Sequence, residues 1–77
     1  MNIAIKYFGL IAEITQCENE NINFSKNSLK EFLAQLYLKY PSLKEKDFQV
    51  AQGQKLISSE TLLTGKELAL LPPFAGG

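Results

Sequence analysis

Hydrophobic and polar residues alternate with period two over residues 2–8. Ile3, Ile5 and Tyr7 fall on one face, and Ala4, Lys6 and Phe8 on the other, as in a strand with one side against a core. Phe8 is the odd member, an aromatic on the face that should meet water. Residues 9–16 read as a turn or short helical turn, with Leu10, Ile11 and Ile14 spaced to cover one edge of the core. Residues 20–25 give a second strand. Ile22 and Phe24 point one way, and Asn21 and Asn23 the other.

The clearest element is a helix from Leu29 to Tyr40. Ser28 is a good N-cap, and Glu31 three residues on completes a capping box. Leu29, Phe32, Leu33, Leu36, Tyr37 and Tyr40 form one apolar stripe at helical spacing. Pro41 ends the helix, because the residue before a proline disfavours the helical backbone region.

Residues 47–57 predict a hairpin. Phe48 and Val50 alternate on the way in, Leu56 and Ile57 follow on the way out, and Gln52-Gly53 form the turn. A polar connection from Ser58 closes on Leu62 and Leu63. Thr64-Gly65-Lys66 make a turn before a last strand at residues 67–71. The order β-β-α-β-β-β implies an α+β layer, a mixed sheet with one main helix on one face and the last strand beside the first. The expected organisation is one domain over residues 1–71 and a flexible tail over 72–77.

Composition narrows the chemistry. The chain has 77 residues, and a domain of this size buries only about 60–65% of the surface its unfolded chain exposes. That leaves no spare core for a cavity-type active site. Eight Lys balance eight Asp+Glu, with no Arg, which does not suit a nucleic-acid surface. Neither a bilayer-length apolar run nor a signal-peptide pattern is present, so the expected location is cytoplasmic, away from membranes. A single cysteine, Cys17, excludes an internal disulfide. The absence of His removes the commonest general base and the commonest metal ligand. No bound cofactor and no metal are expected.

What remains is the end of the chain, Pro72-Pro73-Phe74-Ala75-Gly76-Gly77. Neither proline can donate to a strand ladder, so the strand stops and the chain leaves the domain extended. Six residues reach about 20 Å at roughly 3.3–3.6 Å each, enough to enter a cleft on another protein. Gly76 and Gly77 carry no side chains. Their use is slimness: a glycyl carboxylate passes a narrow channel and lets an enzyme close on both sides of its carbonyl carbon.

Lys6-Tyr7-Phe8-Gly9, Tyr40-Pro41, the run from Thr64 to Leu71 and the Pro-Pro-Phe-Ala-Gly-Gly ending together resemble the small, sulfur-carrier subunit of molybdopterin synthase. That family has the ubiquitin-like β-grasp fold. Two positions depart from its common pattern. Ile11-Ala12-Glu13 stands where the family often carries Arg, and Gly65-Lys66 where it often has Gly-Asp.

The resemblance implies that an E1-like enzyme uses ATP to adenylate Gly77, and that a sulfur donor protein then supplies the sulfur of a thiocarboxylate. The tail would insert into the large synthase subunit, in a heterotetramer, and give its sulfur to cyclic pyranopterin monophosphate. Gly77 is then the reactive residue, Gly76 gives clearance, Pro72 and Pro73 aim the tail, Phe74 packs in the partner's groove, and Ala75 is part of the same tail. Phe8 and Leu71 are the candidate docking surface. Alternative readings are a sulfur carrier of the thiamin thiazole pathway, a ubiquitin-like protein modifier and a plain interaction domain.

Overall fold

Eight elements follow one another in the computed structural model, which describes residues 1–73. They are β1 (Asn2–Tyr7), α1 (Leu10–Thr15), β2 (Asn19–Asn23), α2 (Leu29–Lys39), a 3-10 helix at Pro41–Glu45, β3 (Gln49–Gln52), β4 (Lys55–Ile57) and β5 (Leu68–Leu71). The strands form one sheet in the order β2-β1-β5-β3-β4. β1 pairs antiparallel with β2 and parallel with β5, and β3 runs antiparallel to both β5 and β4. This is the expected mixed sheet with the first and last strands side by side.

The alternation read from β1 decides which face is buried. Ile3, Ile5 and Tyr7 join Leu68 and Leu70 of β5 and Val50 of β3 on the inner face. Against them lie Leu29, Phe32 and Leu36 of α2, with Leu33, Tyr37 and Tyr40 partly covered at the stripe's margin. Phe24 meets Phe32 edge-on, with ring centroids 5.2 Å apart. Ser28 caps α2 by accepting from the Glu31 N–H at 3.2 Å. The second arm of the capping box is absent, since the Glu31 carboxylate instead accepts from the Ser28 hydroxyl at 2.9 Å.

Three expectations need correction, and one element was not foreseen. The segment Pro41–Glu45, to which the sequence assigns no element, is helical and buries Leu43 completely; one apolar residue in five left no periodicity to read. Leu10 stays exposed while its neighbour Ile11 is buried, because α1 has under two turns and presents only one side to the core. The hairpin turn is Gly53-Gln54, one residue later than expected, with φ of +56° and +73°. Positive φ at both central residues is a type I′ turn, whose twist suits two strands. Gln52 remains paired with Lys55, and its amide holds the Leu62 carbonyl and the Thr64 N–H. Finally, Leu56 faces out and is 62% exposed.

A polar cluster fastens the end of α2 to the sheet. Glu20 shares the inward parity of Ile22 and Phe24, so its carboxylate must find donors or remain in water. The Tyr7 hydroxyl donates to it at 2.6 Å, the Tyr40 hydroxyl at 2.7 Å and Lys39 Nζ at 2.5 Å. Burial alone would raise the Glu20 carboxyl, but the three donors outweigh it and hold the group below the usual carboxylate range. Burial, reinforced by the bond to Glu20, pushes both Tyr7 and Tyr40 upward. Among the described residues no helix is long and apolar enough to cross a membrane.

Two measurements follow from the packing. Leu43→Ala should lower the unfolding free energy by about 2–5 kcal/mol in urea titration, as for other fully buried leucines. Glu20→Gln should cost about 1.5–3 kcal/mol, the range for hydrogen bonds to a charged group. The Glu20 contribution is complete above the unfolded carboxyl's value of 4.5 and is lost as pH falls below it, because its folded pKa is depressed. The two tyrosines have raised folded values, so they withdraw stability as pH climbs past 10.0. Unfolding curves across pH should therefore narrow the stable range at both ends for the wild type. In the Glu20→Gln variant the acid limb should flatten.

Candidate functional site

Strand parity that buries Ile3, Ile5 and Tyr7 sends Lys6 and Phe8 to the opposite face of the sheet. The parallel register pairs Tyr7 with Leu70, and the Phe8 N–H donates to the Leu70 carbonyl at 3.2 Å. Phe8 and Leu71, the next residues on each strand, therefore sit together on the outer face. On the same face the neighbouring row runs from Lys6 through Ala69 and Ala51 to Leu56, each paired with the next.

Phe8, Leu71, Ala69, Ala51 and Leu56 line one shallow depression, with Lys6, Glu67, Gln49 and Gln54 around it. Two alanines keep its middle low, while Phe8, 44% exposed, and Leu56 rise at either end. Lys6 and Glu67 pair across its rim at 3.8 Å. Both are half-exposed, so the pair adds little stability. It does leave this apolar strip with no net charge from its rim. Phe8 and Leu71 were legible in the sequence as an out-of-place aromatic and a strand end. Leu56, Ala51 and Ala69 were missed, because only the pairing register shows that they form the adjacent row on the same face.

The tail begins at the edge of this depression. β5 stops at Leu71, as the two prolines dictate. Pro72 lies against Gly9, and both prolines line a small apolar groove with Leu10, Ile11 and Ile14, closed by Lys46 and Asp47. Phe74, Ala75, Gly76 and Gly77 lie outside the described residues. Cys17 is half-buried, with Sγ 3.8 Å from Thr15 Oγ1 and 3.9 Å from Glu20 Oε2. Among the described residues no group of three or more His, Cys, Asp or Glu is placed to hold a metal ion.

Solved structures share this architecture. A Pyrococcus furiosus protein assigned as molybdopterin converting factor, subunit 1, superposes with a TM-score of 0.84 at 18% identity, over 95% of this chain and 98% of that one. Small archaeal modifier protein 1 from Methanosarcina acetivorans gives 0.78 at 23% identity, over 99% and 96%. At these identities the likeness establishes the ubiquitin-like β-grasp fold. In the complex of subunits 1 and 2 of the molybdopterin-converting factor from Helicobacter pylori, a chain matches over 100% of both lengths. It shares 32% identity with this protein, with a TM-score of 0.69. Residues 5–77, nearly the whole chain and including the Gly-Gly ending, match the model of the ThiS family, and the chain belongs to that family.

Proposed function

We propose that this protein is the sulfur-carrier subunit of a molybdopterin synthase, with Gly77 as the group that carries the sulfur. The full-length match to a chain of the Helicobacter pylori converting-factor complex carries this reading, since it spans every residue of this chain, including Phe8 and the final glycines. The structure adds support of its own. An apolar strip on an otherwise polar sheet face marks a partner site on a small domain, and here it ends where the tail starts. A partner that covers Phe8 and Leu71 would have the tail delivered at the rim of its own surface.

The chemistry follows from what a carboxylate lacks. At neutral pH the terminal group is ionised and a poor electrophile. An E1-like adenylating enzyme would use ATP to convert it to an acyl-adenylate, with release of pyrophosphate. Sulfur at the sulfide level, delivered by a sulfur donor protein, would then displace AMP, its new C–S bond replacing the C–O bond to AMP, and leave a thiocarboxylate on Gly77. The large synthase subunit would receive Phe74, Ala75 and Gly76 in a channel, and direct the sulfur to cyclic pyranopterin monophosphate. In such a scheme the carrier is a cosubstrate, and a chain without His is no handicap.

Two outcomes are expected. After isolation with its activating enzyme, intact mass should show the exchange of one oxygen for one sulfur, confined by fragmentation to Gly77. Removal of Gly76-Gly77 should abolish the exchange and leave the melting temperature unchanged. Higher-mass ladders joined through lysine would instead identify a protein modifier, and exchange surviving the deletion would overturn the role of Gly77. Phe8→Lys should weaken binding to the large subunit by about thirtyfold or more, as loss of an interface anchor worth about 2 kcal/mol does. Titration calorimetry reads that loss directly, and unchanged affinity would remove Phe8 from the docking face.

A further inference from the structure

The apolar groove beside Pro72 and Pro73 shares no lining residue with the depression on the sheet, and Gly9 lies against Pro72, one of its walls. Gly9 follows β1 and precedes α1, with φ +58° and ψ −135°. A side chain there is strained by its own backbone, so the site favours glycine. A second constraint is independent of the first. A Cβ at this position would stand 3.2 Å from Pro72 Cγ, closer than ordinary contact. The sharp turn also separates its neighbours. Phe8 goes to the outer face of the sheet, whereas Leu10, 55% exposed, and the partly covered Ile14 go to the groove on the other side of the tail root.

We propose that Gly9 is the positioning residue of the tail: its bare backbone lets Pro72 seat against it, with Leu10, Ile11 and Ile14 as the apolar floor. The seat fixes the point from which residues 74–77 depart. It acts through Pro72 and touches no reacting atom. Proline suits the seat because its fixed φ and lack of an N–H remove both the freedom to rotate and the need for a ladder partner. The effect on transfer is one of aim. A displaced root leaves the carboxylate's chemistry intact but lowers the fraction of encounters that reach a partner's channel correctly oriented.

This inference rests on the sulfur-carrier reading only for its kinetic arm. The structural arm uses the isolated full chain. Nuclear Overhauser contacts should link the Pro72 ring to Gly9, Leu10 and Ile14, and Leu10→Ser with Ile14→Ser should lower the backbone order parameter of Phe74. No contacts, or an unchanged order parameter, would overturn the seat whatever the tail does chemically.

The kinetic arm is a double-mutant cycle on the rate of thiocarboxylate formation with the activating enzyme. Gly9→Ala should lower kcat/KM about ten- to a hundredfold, the scale of a misplacement near an ångström. Pro72→Ala removes Cγ and its close contact. Gly9→Ala/Pro72→Ala should therefore react at the rate of Pro72→Ala alone, while its melting temperature keeps the loss that backbone strain imposes on Gly9→Ala. Losses that simply multiply would show that Gly9 acts on the fold and not through Pro72. A wild type that forms no thiocarboxylate would sink the sulfur-carrier reading and leave the contacts and order parameters to decide the seat.

Discussion

The parallel ladder between β1 and β5 joins residues more than sixty positions apart in the sequence. All the other elements form the crossover that a parallel pair demands. Closing so long a loop costs entropy before any contact repays it. The return comes from a continuous inner row, Ile3, Ile5 and Tyr7 beside Leu68 and Leu70, packed under Leu29, Phe32 and Leu36. Because the strands run the same way, their ends coincide. Phe8 lies beside Leu71 and Gly9 beside Pro72, so the apolar strip and the tail root adjoin as consequences of this pairing.

The two faces of the sheet differ in side-chain size. Large residues inside hold α2, while Ala51 and Ala69 outside leave a low strip between Phe8 and Leu56. Lys6 and Glu67 neutralise each other at its rim. A strip of this kind binds by shape and desolvation more than by charge, and suits a partner surface that is itself apolar at its centre.

Glu20 shows how a small core tolerates an inward-facing charge. Its carboxylate collects two tyrosine hydroxyls and an ammonium, so no donor or acceptor at this corner is stranded. Tyr7 stands edge-on to Tyr40, with centroids 6.2 Å apart, and Lys39 lies 5.5 Å from the Tyr40 ring. This knot ties three elements, β1, β2 and the end of α2, at the corner remote from the hairpin. It keeps the helix in place over a sheet whose outer face is left open.

By itself the sequence determined the elements with strong period and strong punctuation. β1 by alternation, α2 by its stripe and its Ser28 cap, and the end of β5 at Pro72 are local matters, set by neighbours a few residues away. Phe8 also stood out locally, as an aromatic on the wrong face. Tertiary structure alone decided what depends on register or on distant partners. The 3-10 helix carries a single buried residue, Leu43, and so has no pattern of its own. Leu56 reads as core until its pairing with Ala51 turns it outward. Glu20 reads as a surface charge until Tyr7, Tyr40 and Lys39 are brought to it. Gly9 reads as an ordinary turn residue, and only the parallel pairing of β1 and β5 brings Pro72 Cγ within 3.2 Å of where a Cβ would stand.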